Sequence, residues 1–104
     1  MNEGILKPRV KIQKNLPSLK DRRSGILLHL SSLPGPYYCG DLGKAAFKFA
    51  DFLSDGGQSW WQMLPINPIG LGNSPYTTTC SFAGEPMYID LEDLVNDGLL
   101  KKSE

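Results

Sequence analysis

Apolar residues change their spacing several times along this chain, and each change predicts an element. Gly25-Ile26-Leu27-Leu28-His29-Leu30 is a short apolar run without alternation. Such a run suits a strand buried on both faces, as in parallel sheets. Residues 31–40, reading SSLPGPYYCG, are dense in turn formers and predict a loop. Leu42, Ala45, Ala46, Phe49, Phe52 and Leu53 then recur at three- and four-residue spacing, which lays them along one helix face. Asp41 stands where an N-cap would accept backbone N–H bonds, and Gly56-Gly57 supply a left-handed stop. Ser59-Trp60-Trp61-Gln62-Met63-Leu64 reads as a second strand, ended by Pro65, which has no N–H for a ladder.

Strand, helix and strand within about 40 residues make a βαβ unit with parallel strands. A long loop follows over residues 66–87, punctuated by Pro68, Gly70, Gly72 and Pro75. A structureless loop of roughly 20 residues is unusual in a compact domain and is usually functional. Met87-Tyr88-Ile89 turns apolar again, and Asp90 caps a short helix, Leu91 to Asn96, closed by Gly98.

These elements do not close a fold. Two parallel strands that are apolar on both faces need helices on both sides and neighbours on both edges. The chain therefore reads as α/β, the opening units of a larger protein; a homo-oligomer completing the sheet between subunits is the other way to satisfy it. An irregular basic lead-in at 1–22 precedes the first strand, and 23–104 form the folded segment.

Composition narrows the class. The chain has 104 residues, 40% apolar and 10% aromatic, which argues against wholesale disorder. Net charge is zero, giving no global attraction to nucleic acid or membrane. Seven basic residues (Lys7, Arg9, Lys11, Lys14, Lys20, Arg22, Arg23) fall in the first 23 positions against Glu3 and Asp21. That arm lacks aromatic interleaving, any nucleic-acid motif, and the apolar core of a signal peptide. It reads as a solvated extension. No apolar run approaches the roughly 20 residues of a membrane span, so the expected location is cytoplasmic. Cys39 and Cys80 then read as reduced thiols, and one histidine without a close cysteine pair makes a zinc site improbable.

The motifs are more specific. Arg23-Ser24-Gly25-Ile26-Leu27-Leu28-His29-Leu30-Ser31-Ser32-Leu33-Pro34-Gly35-Pro36-Tyr37 is followed by Gly40-Asp41-Leu42-Gly43 and Trp61-Gln62-Met63-Leu64-Pro65. Gly72-Asn73-Ser74-Pro75-Tyr76, Phe82-Ala83-Gly84-Glu85-Pro86 and Ile89-Asp90-Leu91 complete the set. In order and spacing these resemble the opening of the 4-α-glucanotransferases, also called amylomaltases or disproportionating enzymes, over about residues 23–100. The resemblance implies a (β/α)8 TIM barrel, with this chain supplying its first two βα units. It departs from the family's usual pattern at Tyr38-Cys39, at Thr77-Thr78-Thr79-Cys80-Ser81, and at Glu85, where asparagine is frequent.

In such barrels the active site lies at the carboxyl ends of the strands, and both Gly/Pro-rich loops follow strands. Pro75 fixes its own φ and biases Ser74 toward extended geometry, so Tyr76 is presented from a stiff segment. A tyrosine at a cleft lays its ring against a sugar face while its hydroxyl stays hydrated. The resemblance implies that Tyr76 helps form the subsite of the glucosyl unit undergoing transfer, with Ser74 hydrogen bonding beside it; by spacing alone, Tyr76 packs on the barrel rim. His29 either faces the cleft or is hydrogen-bonded within the barrel. Trp60 and Trp61 point to opposite faces of their strand, one filling the barrel and one under helices.

The resemblance further implies retaining transfer of α-1,4-glucan segments between maltodextrins, without cofactor or metal. Its nucleophile and acid/base come from later barrel strands. No acid here matches them, so the chain alone is expected to be inactive and to need the remainder of the barrel. The alternative is a non-catalytic glucan-binding or interaction fragment.

Overall fold

The computed structural model describes residues 18–37 and 39–103. Most of the basic lead-in, and Tyr38, lie outside the described residues. Strand β1 (Gly25–Leu27) leads into a 3-10 turn (Leu30–Ser32), helix α1 (Lys44–Asp55) and strand β2 (Trp60–Gln62). A second 3-10 turn (Pro86–Tyr88) and helix α2 (Leu91–Asn96) follow.

β1 and β2 pair in parallel, with Gly25 opposite Trp60, Ile26 opposite Trp61 and Leu27 opposite Gln62. The Ser59 N–H donates to the Ser24 carbonyl at 2.9 Å and Leu28 N–H to the Gln62 carbonyl at 3.0 Å, carrying the ladder one step beyond each end. Gly25 is required by close approach: a Cβ there would stand 2.6 Å from the Trp60 carbonyl oxygen. The βαβ unit is thus as expected, with shorter strands. His29 and Leu30 leave the sheet because the chain coils at once into the 3-10 turn.

β1 is exposed rather than buried on both faces. The sheet has two strands, and the helix contact falls on β2, where Trp61 meets Phe49 edge-on with ring centroids 4.9 Å apart. The Trp61 indole N–H donates to the Leu28 carbonyl at 2.8 Å. Trp61 is therefore the tryptophan beneath the helix, whereas Trp60 is 39% exposed.

The hydrophobic core sits beyond the C-terminal ends of the strands. Leu30, Leu33, Ala46 and Tyr88 form its buried centre, and Leu28, Cys39, Phe49, Trp61 and Met63 pack around it. Leu30 is completely buried. Of the expected helix face, Ala46 and Leu53 are buried, while Phe52 turns outward and stacks on Phe49.

Asp41 is not the cap of α1. Gly43 occupies that position without any side-chain cap bond, and Leu42 precedes the helix. Instead the Asp41 Oδ1 accepts from the Gly43 N–H at 2.9 Å, closing a short turn just before the helix. The other three helix-end expectations hold. Gly57 takes a left-handed φ of 75° after α1. The Asp90 side chain accepts from the Glu92 N–H at the start of α2, and Gly98 ends that helix with a φ of 74°.

Candidate active site

Both candidate loops leave the C-terminal ends of β1 and β2, on the side where the core lies. The first is anchored to the core: Leu33 is buried, and the Gly40 N–H reaches back to the Ser31 carbonyl at 3.2 Å. The Leu42 N–H donates to the Tyr88 carbonyl at 2.9 Å, tying this loop to the segment before α2.

The second loop, residues 66–86, is not structureless. At its base the Glu85 N–H donates to the Ile66 carbonyl at 2.9 Å. The Asn67 side-chain amide donates to two carbonyls across the loop, Ser81 at 2.8 Å and Ala83 at 2.9 Å. Further out, Ile69 and Thr78 form an antiparallel bridge, with the Gly70 N–H donating to the Thr77 carbonyl at 2.8 Å. The tip is a pair of turns, Asn73 N–H to the Gly70 carbonyl and Thr77 N–H to the Ser74 carbonyl. Gly72 and Asn73 carry φ of 87° and 57°, a left-handed pair that glycine and asparagine adopt more readily than other residues.

Ser74 and Tyr76 share the outer turn. Pro75 occupies the position whose φ a turn fixes near proline's own value. The Ser74 Oγ accepts from the Tyr76 N–H at 3.3 Å. Tyr76 is 71% exposed, and no aromatic ring pair among the described residues includes it. A largely exposed aromatic ring held on a stiff turn can meet the apolar face of a flat ligand.

His29 belongs elsewhere. Its Nε2 lies 2.9 Å from the Tyr88 hydroxyl, and the two rings meet edge-on, their centroids 5.7 Å apart. Its Nδ1 is buried without a hydrogen-bond partner. His29 thus pairs with Tyr88, whereas Ser74 and Tyr76 meet in the outer turn of the second loop. Tyr88 was absent from the sequence-based site: it stood in an apolar triplet, Met87-Tyr88-Ile89, to which no role was given. Burial pushes its hydroxyl above the ordinary value for tyrosine, with the Cys39 and Glu85 charges adding to the effect.

One pair of acids approaches closely. Asp41 and Asp90 are 5% and 8% exposed, and their oxygens lie within 2.7 Å and 2.5 Å of the position a Gly43 Cβ would occupy. Burial raises the Asp41 carboxyl above its usual range; the Gly43 N–H opposes this, and the Asp90 and Asp93 charges reinforce it. Two carboxyls about 5 Å apart are the spacing of a retaining glycosidase. Here each accepts a backbone N–H beside a helix start, Asp41 from Gly43 and Asp90 from Glu92, so both carboxyls are engaged in holding local structure. Among the described residues no group of acids, histidines and cysteines is arranged to hold a metal ion.

A model of the family described as 4-alpha-glucanotransferase matches residues 28–104, most of the chain. The chain belongs to the 4-alpha-glucanotransferase family. The 4-alpha-glucanotransferase of Aquifex aeolicus is 52% identical over 85 residues, 80% of this chain and 18% of that protein. The chloroplastic/amyloplastic 4-alpha-glucanotransferase of Solanum tuberosum is 54% identical over 87 residues, 80% of this chain and 15% of its own length. Among solved structures, the amylomaltase from Streptococcus agalactiae in complex with acarbose superposes with a TM-score of 0.76 at 38% identity. That match covers 80% of this chain and 17% of the amylomaltase. The chain thus spans less than a fifth of the length of the 4-alpha-glucanotransferases it matches.

Proposed function

We propose that this chain forms the first two βα units of a (β/α)8 barrel that transfers α-1,4-glucan segments between maltodextrins. The observation that carries the reading is Tyr76, uncovered on a turn stiffened by Pro75, in the loop after β2 of a transferase-family chain. The exposed faces of β1, Trp60 and Phe52 fit a sheet and helix that the remainder of a barrel would cover.

Tyr76 lays its ring against the glucosyl unit undergoing transfer, and the Ser74 hydroxyl hydrogen bonds beside it. His29, whose Nε2 is hydrogen-bonded to the Tyr88 hydroxyl, supports the sugar wall from behind in this reading. The chemistry is a retaining double displacement. A carboxylate attacks the anomeric carbon, and a second carboxylic acid protonates the departing oxygen, then takes the proton of the incoming sugar hydroxyl. Transfer prevails over hydrolysis when an acceptor sugar displaces water from the glycosyl-enzyme. Both carboxylates belong to other strands of the barrel, because Asp41 and Asp90 are committed to helix starts. No helix among the described residues is long and apolar enough to cross a membrane, and we place the transferase in the cytoplasm.

The test is Tyr76→Ala in a transferase of full family length carrying this sequence. Conversion of maltotriose to glucose and longer maltodextrins falls about a hundredfold, as misplacement of a reacting sugar does, while the unfolding temperature stays put. Unchanged turnover refutes the sugar role.

A further inference from the structure

We propose that Glu85 is a positioning residue for Tyr76, a carboxylate bridge that sets where the 66–86 loop holds its tyrosine; this rests on the sugar role of Tyr76 given above.

Besides the 3-10 turn bond that its carbonyl accepts from the Tyr88 N–H at 3.1 Å, Glu85 has three hydrogen-bonded connections at the base of the loop. Its N–H donates to the Ile66 carbonyl at 2.9 Å. Its Oε2 accepts from the Ile69 N–H at 3.0 Å, sixteen residues away on the outgoing limb. Its Oε1 accepts from the Met87 N–H at 3.3 Å, capping the 3-10 turn on the returning limb. One carboxylate therefore joins both limbs, using an oxygen for each. A charged acceptor makes such bonds roughly twice as strong as neutral ones. Ile69 is also the residue that pairs with Thr78. Its neighbour Gly70 donates to Thr77, next to Tyr76. The bridge thus acts on the strand pair that carries the tyrosine turn, and no apolar burial helps it, because no residue of the loop is buried.

This geometry separates the two limbs experimentally. Glu85→Asp is one methylene shorter: aspartate still caps the Met87 N–H, as it does at many helix starts, but falls short of Ile69. Glu85→Gln keeps the reach with a single acceptor oxygen. In a transferase of full family length, Glu85→Asp should speed amide hydrogen exchange at Ile69 at least tenfold and lower kcat/KM for maltotriose about tenfold. Glu85→Gln should recover most of both. In a Tyr76→Ala background the same Glu85→Asp change should alter kcat/KM less than twofold, since residues acting through one another are non-additive. Unchanged exchange at Ile69 overturns the bridge. Effects of Glu85→Asp and Tyr76→Ala that simply multiply overturn the route through Tyr76. A Tyr76→Ala enzyme with full turnover sinks the sugar role and the positioning role together, and the Ile69 exchange rate shows separately whether the bridge itself exists.

Discussion

The core beyond the strand ends and the loop at residues 66–86 are two neighbouring regions held together by opposite means. The core is apolar: Leu30, Leu33, Ala46 and Tyr88 exclude water, and Trp61 and Phe49 close its side. The loop has no fully buried residue, and leaves Leu71, Tyr76 and Phe82 standing in solvent. It is held by side chains turned on backbone, with Asn67, Glu85, Ser74 and Thr78 each satisfying main-chain groups. Hydrophobic burial is non-directional and fixes that groups are together. Hydrogen bonds fix direction. A surface meant to present one ring at one angle is well served by the second, provided the first anchors its ends.

Leu30→Ala makes the largest break in that division. Truncating a fully buried leucine costs about 2–5 kcal/mol, a large share of a small domain's stability. Amide exchange should accelerate through α1 and at Leu42, whose N–H bonds to Tyr88. At Ile69 and Gly70 it should change little, because their bonds stay within the loop. Equal acceleration in both regions would show that the loop depends on the core for its shape.

Tyr88→Phe comes next, by about 1–3 kcal/mol. It removes the hydroxyl from His29 Nε2 and leaves a ring with neither nitrogen bonded in a part-buried site. The cost falls on the core alone. A matching His29→Phe, which removes both polar partners when combined with it, should recover part of that loss in unfolding experiments; additive losses would mean that the two side chains are not energetically coupled.

Asn67→Ala affects the other region by about 1–2 kcal/mol, the net worth of two ordinary hydrogen bonds. The effect is local: proteolysis between residues 67 and 83 should quicken, with the unfolding temperature of the core unmoved. A global loss of stability would show that the loop's base contributes to the core.

The same division decides what was legible in the sequence. The βαβ unit, the parallel pairing and the left-handed Gly57 and Gly98 follow from spacing and backbone sterics, so they could be read locally. The ends of the strands could not, because a 3-10 turn and a strand share the same apolar letters at His29 and Leu30. Burial of β1 on both faces is a property of neighbours that residues 18–103 do not themselves supply. The loop hid most. Its order depends on bonds spanning fourteen to sixteen residues, from Asn67 to Ser81 and from Ile69 to Glu85, and no periodicity signals them. At the candidate site, Pro75 made the stiff turn at Ser74 and Tyr76 legible, but their expected sugar role came from the family resemblance and not from spacing. Tyr88 was invisible because a buried tyrosine with a partner and one without look alike in sequence.

Asp41 gives the smallest expected effect and lies where the first loop meets both helices. Its carboxyl is raised above the ordinary value of 3.8, first by burial and then, against the Gly43 N–H, by the charges of Asp90 and Asp93. A raised carboxyl binds its proton more tightly folded than unfolded. Its ionisation therefore costs stability, and that cost grows as pH rises through the raised value. Asp41→Asn keeps an oxygen for the Gly43 N–H and removes the charge. The variant should unfold at a slightly higher temperature than the parent at pH 7, and the difference should close as pH falls toward 3.8 and below. The N-terminus of α1 opposes this, since a helix start favours a negative charge. If the parent is the more stable of the two at pH 7, the helix start outweighs burial and Asp41 is held there as a stabilising anion.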